Sequence, residues 1–155
     1  MRIRVLAVGA DRSRLFEPAI AEYARRIGRW AGLEIVEVPP SKKGGSDPLR
    51  AREEEGQALL GRLRGNEIVV ALDERGEELD STAFSVKVVQ EAMNRGRDLA
   101  FLVGGAEGHA EAVRQRADRV LALSRMTLAH RLARLVLVEQ IYRALAIARG
   151  EPYHK

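Results

Sequence analysis

The chain contains no cysteine, which excludes disulfide staples and thiolate chemistry and suits a reducing compartment. Its three histidines, His109, His130 and His154, lack the spacing of metal ligands, so no metal site is expected. No apolar run approaches the roughly 20 residues of a membrane span. The opening MRIRVLAVGAD alternates like a strand instead of carrying the apolar core and cleavage site of a signal peptide. A cytoplasmic protein is expected. Neither G-x-G-x-x-G nor G-x-x-x-x-G-K-[ST] occurs, so the dinucleotide and P-loop fingerprints are both missing. Lysine is scarce: Lys42, Lys43, Lys87 and Lys155 stand against 22 arginines among the 26 basic residues, for a net charge of +4. Arginine is suited to phosphate and base recognition because its planar fork donates in pairs. Codon bias explains the same excess, so the charge permits a nucleic-acid partner without demanding one.

What is present is an ordinary globular balance, 46% hydrophobic and 31% charged over 155 residues, enough for one domain spanning 1–155 with a single core. Strands are predicted at Ile3–Val8, Leu33–Val38, Glu67–Leu72 and Leu99–Val103, with a further apolar stretch at Val120–Leu123. Between them, Leu15, Phe16, Ala19, Ile20, Tyr23, Ala24 and Ile27 recur at helical spacing. Ser46 or Asp47 caps a second helix that has Pro48 in its first turn and runs to about Arg64. Ser81 caps a third, which ends at Gly96. Strands and helices alternate throughout, the pattern of an α/β sandwich with a mostly parallel sheet. Such sheets bind ligands beyond the carboxyl ends of their strands. The loops Leu72–Gly76, Gly104–Gly108 and Leu123–Leu128 qualify, with Asp73–Gly76 read as a turn.

Gly104-Gly105-Ala106-Glu107-Gly108 offers a ligand close approach to backbone groups and tolerates positive φ; its bland reading is a plain β–α connection. Glu107 is a candidate base or acceptor, although a helix start also favours a carboxylate. In Leu123-Ser124-Arg125-Met126-Thr127-Leu128, Ser124 and Thr127 either cap the next helix or, with an exposed Met126, form a wall for an adenine ring. The final helix, about His130–Ala148, carries apolar residues on both faces, whereas a monomer's surface helix keeps one face polar. A two-fold homodimer is inferred. Arg134 falls within the apolar arc, where an unpaired guanidinium costs several kcal/mol. It either snorkels out at the first turn or lines a polar cavity and binds an anion. Gly150 and Pro152 end the helix, leaving Tyr153-His154-Lys155 as a tail that frays or stacks on a base.

In order and spacing, VLAVGA, EYARRI, EIVEVP, VALDERG, LVGGAEG, LALSRMTLAH, RLARLVLVEQIYRA and the closing PYHK resemble the bacterial 23S rRNA pseudouridine N3-methyltransferases, minimal members of the knotted SPOUT class. The similarity covers essentially the whole chain. One departure is that Ala129 and Arg131 flank His130, where the family commonly has proline. The resemblance implies a parallel α/β sheet whose C-terminal segment threads as a trefoil knot, an exception to the usual rule against threading. It implies a homodimer with S-adenosylmethionine held in the knot by Leu72, Gly104, Gly105, Gly108 and the segment Leu123, Ser124, Arg125, Met126, Thr127 and Leu128. The implied substrate is the pseudouridine in the helix 69 loop of 23S rRNA in the assembled ribosome, which the dimer itself would dock. Arg134 is then the first candidate to stabilise charge on the substrate, with His130, Glu107 or His154 taking the proton and Tyr153 and His154 contacting RNA. Two rival readings are a nucleotide-binding α/β enzyme acting on a small metabolite and a non-catalytic ribosome-associated factor.

Overall fold

The computed structural model describes residues 1–10 and 12–155. Five strands, β1 (Arg2–Val8), β2 (Gly32–Val38), β3 (Glu67–Glu78), β4 (Asp98–Val103) and β5 (Arg119–Ala122), form one sheet in the order β2-β1-β4-β3-β5. Every pairing is parallel, as the α/β reading expects. Alternation along the strands sends residues to two cores. Ile3, Val5, Ala7, Leu99, Phe101 and Val103 face one side, and Leu6, Val8, Val69, Ala71 and Leu102 the other.

The first side is covered by α1 (Glu17–Ile27), by α6 (His130–Ala148), and by a helix in three parts. That helix runs as α3 (Ser81–Phe84), a wider π-type segment (Ser85–Gln90) and α4 (Glu91–Asn94). The second side is covered by α2 (Pro48–Leu60) and the short α5 (Glu111–Arg116) through Leu59 and Val113. Near the amino end of the sheet, Arg4 and Glu67 are buried together. The Arg4 guanidinium donates to both carboxylate oxygens at 2.6 and 2.9 Å.

Several boundaries differ from expectation. Strand β3 does not stop at Leu72. Leu121 of β5 pairs with Leu72 and again with Glu77, so Asp73–Gly76 is an out-of-register excursion within a longer strand, not a terminal turn. Asp80, not Ser81, caps α3 by accepting from the Ala83 N–H at 2.7 Å. The Ser81 hydroxyl instead donates to Gln140 at 2.7 Å. Helix α2 ends at Leu60 rather than Arg64, and the Arg64 N–H is taken by the Glu67 carboxylate. As expected, Asp47 caps α2 ahead of Pro48.

Candidate active site

The mid-strand excursion of β3 and the carboxyl ends of β4 and β5 bound a cleft of about 670 Å³, within the roughly 300–1,000 Å³ usual for small-molecule sites. Its floor is the turn after β4. Gly108 has φ +79°, and its N–H donates to the Gly105 carbonyl at 3.1 Å. A Cβ on Gly105 would stand 3.0 Å from Val8 Cγ1, and one on Gly104 3.2 Å from the Gly108 carbonyl carbon. At both positions a side chain would be packed tighter than ordinary contact, and glycine avoids that crowding.

One wall is the β3 excursion. Asp73 accepts from the Arg75 N–H at 2.9 Å and from Arg114 Nη1 at 3.0 Å, and the same Arg114 nitrogen donates to the His109 carbonyl at 3.1 Å. Burial works to raise the Asp73 carboxyl, but these bonds to Arg75 and Arg114 hold it below its ordinary value. Strand β3 is thereby tied to the far end of the glycine turn. The opposite wall is the loop after β5. Ser124 Oγ accepts from the Met126 N–H at 2.9 Å, and Thr127 Oγ1 donates to the Glu74 carboxylate. Neither hydroxyl caps α6, so the capping reading is wrong: both are spent bracing the loop. Met126 is 78% exposed and lines the cleft.

Of the expected cofactor residues, Leu72, Gly104, Gly105, Gly108, Leu123, Ser124, Met126, Thr127 and Leu128 all line this cleft, as do Glu107 and His130. Arg125 does not; it turns back onto β3, donating to the Glu74 carbonyl at 2.8 Å and pairing with Glu78. The His130 imidazolium is disfavoured by burial, then by Arg131 and Arg134, with Glu55 opposing.

Arg134 neither snorkels nor faces a cavity. It is buried, and it donates to Glu37 at 2.8 Å and to the Gly9 carbonyl at 3.0 Å. It thus fastens α6 to the ends of β1 and β2. Tyr153 and His154 lie at the other end of α6, about 28 Å along a helix of this length. There the Tyr153 hydroxyl donates to Glu139 at 3.0 Å, and its ring meets Tyr142 edge-on. The Arg143 guanidinium lies 4.7 Å from the Tyr153 ring centre and 3.2 Å from His154 Nδ1. Burial and its bonds to Tyr23 and Glu139 push the Tyr153 phenol well up. Among the described residues, no group of three or more His, Cys, Asp or Glu is placed to hold a metal ion. No helix there is long and apolar enough to cross a membrane.

Comparison with known proteins decides the family. Residues 1–154 match the family model described as "Predicted SPOUT methyltransferase". The chain belongs to the SPOUT methyltransferase family. It is 57% identical over the full length of both chains to a protein from Anaeromyxobacter sp. (strain Fw109-5) named Ribosomal RNA large subunit methyltransferase H. It is 58% identical, again over the full length of both, to the protein of that name from Anaeromyxobacter dehalogenans (strain 2CP-C). To the Enterococcus faecalis (strain ATCC 700802 / V583) protein of that name it is 39% identical, likewise at full coverage of both. In this SPOUT methyltransferase the sequence reading missed Asp73, Arg114 and His109, which shape the cleft, and Arg143, which gathers the tail. Asp73 was visible only as part of a polar loop. His109 carried one signal, its place directly after the glycine turn.

Proposed function

We propose that this methyltransferase transfers a methyl group from S-adenosylmethionine to N3 of pseudouridine 1915 in the helix 69 loop of 23S rRNA, acting on the assembled ribosome in the cytoplasm. The observation that carries this reading is the glycine cradle facing the Ser124–Leu128 loop across one cleft, in a chain matched end to end by large-subunit rRNA methyltransferases. The residues present fit the cofactor. A Cβ at Gly104 or Gly105 would be crowded by its neighbours, so glycine leaves bare backbone at the cleft floor, while Met126 and Leu128 supply apolar surface and Ser124 and Thr127 hold their loop in place. Threading of the segment after β4 as a trefoil knot belongs to the same reading. It is supported by family membership and by a path that visits the β5 edge and returns in α6 to pack on α1.

When bound, S-adenosylmethionine supplies an electrophilic methyl group. The chain's task is to orient the uracil edge, stabilise charge gathering on the flanking carbonyls and accept the N3 proton. Glu107 and His130 are the acceptors on the cleft wall, and His130 favours the neutral form that can take a proton. Arg134 contributes by holding the first turn of α6 against Gly9 and Glu37. A homodimer completes the proposal. No residue of α6 is fully exposed even in the single chain, and Leu132, Leu135, Val136 and Ile147 are only half-buried. A two-fold axis across this helix sets one protomer's Tyr153 and His154 beside its partner's cleft, where they contact RNA.

The test is methyl transfer from labelled cofactor to ribosomes with and without pseudouridine in that loop. Label in helix 69 only when pseudouridine is present is expected; label elsewhere, or indifference to pseudouridine, refutes the assignment.

A further inference from the structure

The buried imidazole of His109 has a defined orientation. His109 is 4% exposed and follows the glycine turn directly. Its Nε2 lies 3.1 Å from the Leu102 carbonyl on β4. A carbonyl only accepts, so Nε2 carries a hydrogen. Its Nδ1 sits 3.3 Å from where a Gly104 Cβ would stand, so that face of the ring abuts the turn. The backbone is pinned as well, since the His109 carbonyl accepts from Arg114, which also holds Asp73. The ring thus lies between β4 and the cleft floor, and its main chain is joined to the cleft wall.

We propose that His109, kept as the neutral Nε2–H tautomer, is a positioning residue that props the glycine turn in its cofactor-receiving shape, so that protonation at Nδ1 loosens the turn and releases S-adenosylmethionine. The proposal rests on the cofactor reading above. A second N–H on Nδ1 would face the Gly104 backbone, and it would place a charge where burial penalises it. The charged groups that act on the ring are Asp73 from β3 and Arg114 from α5; the buried Glu55 of α2 lies beside Gly105 in the same turn. Burial lowers the affinity of His109 for a proton; its bond to Leu102 and the Asp73 charge oppose this, and Arg114 adds to it. The sign follows: the folded, cofactor-ready form binds fewer protons than an opened turn. Its advantage is complete above the ordinary histidine value of about 6.5 and is lost as pH falls through the lowered value.

The experiment is S-adenosylmethionine calorimetry on the full chain between about pH 8 and pH 5, comparing wild type with His109→Gln and His109→Leu. Glutamine keeps a donor for Leu102 and does not titrate. Wild-type affinity is expected to fall by up to about tenfold per pH unit on the acid side. His109→Gln should bind within about threefold of wild type near pH 8 and lose most of that acid limb. His109→Leu should bind more weakly at every pH. Ionisation of the ligand and of groups other than residue 109 is common to wild type and the glutamine variant, so only their difference counts. Identical acid limbs in wild type and His109→Gln would overturn the proposal while leaving cofactor binding intact. Absence of wild-type binding at pH 8 would overturn the cofactor reading and this inference together. If the variants fail to fold, nitrogen NMR of the wild-type imidazole decides: a protonated Nδ1 at neutral pH, or no response of His109 to added cofactor, refutes the role.

Discussion

Two buried guanidiniums show how strongly a partner's environment sets the cost of removal. Arg4 and Glu67 are 5% and 2% exposed at the side chain, and Glu67 also accepts from the Arg64 N–H. Arg4→Ala would strand that carboxylate in a dry site, and a loss of about 3–5 kcal/mol in urea denaturation is expected. Arg134 is equally buried, but its partner Glu37 is 43% exposed and would regain water. Arg134→Ala should therefore cost only about 2 kcal/mol. Arg134→Lys should recover part of this, because one ammonium on a flexible stem is a poor substitute for a planar fork serving both Glu37 and Gly9. Both variants are read by the denaturant midpoint at constant slope. The sequence made Arg134 conspicuous as a charge in an apolar arc, but its partners stand 97 and 125 positions away. Local periodicity carries no information at that range.

At the scale of the element, β3 is the most informative. Its first half was readable because Ile68-Val69-Val70-Ala71-Leu72 is continuously apolar, as a strand covered on both faces requires. Its second half was not, because Asp73-Glu74-Arg75-Gly76-Glu77-Glu78 has turn-like composition and is held by backbone pairing to β5. The π-type segment was hidden for a related reason: six residues are too few to separate a wider helical period from 3.6. There the Ser85 hydroxyl donates to the Ala144 carbonyl and accepts from Gln90, so α6 fixes the irregular turn. Gly76 offers a direct test of the β3 excursion. A Cβ there would stand 2.7 Å from the Val120 carbonyl oxygen and 2.8 Å from the Leu121 nitrogen, and backbone cannot step aside cheaply. Gly76→Ala should lower stability by about 1–3 kcal/mol and weaken S-adenosylmethionine binding by re-aiming Asp73. A melting curve and calorimetry check the two effects, and a change in stability alone would separate the excursion from the cleft.

At the scale of the whole molecule, the charge surplus and the proposed dimer set the expectations. Phosphate contacts made by the arginine-rich surface predict that ribosome affinity falls as salt rises, with a log–log slope that counts those contacts; a flat response would place docking elsewhere. Deleting Tyr153–Lys155 removes the bond to Glu139 and the edge contact with Tyr142. It should abolish methyl transfer to ribosomes while leaving cofactor affinity within about twofold, measured by calorimetry, since in the proposed dimer the tail contacts RNA beside the partner's cleft and not the cofactor. Loss of both would make the tail structural. Sequence showed that α6 had a second apolar face, but the tail's docking on Tyr142, Tyr23 and Arg143 involves few residues and no period.

Helix α6 begins at His130 in the cleft and ends just before the tail, and this gives it the character of a measuring rod. In a two-fold dimer the separation between one protomer's cofactor and its partner's tail is fixed by the number of residues in that rod. A four-residue insertion near its carboxyl end would lengthen it by about 6 Å while nearly preserving its faces, and a single-residue insertion would swing the tail by about 100°. The tolerance of methyl transfer to these two changes therefore reads the gauge to which the active site is built.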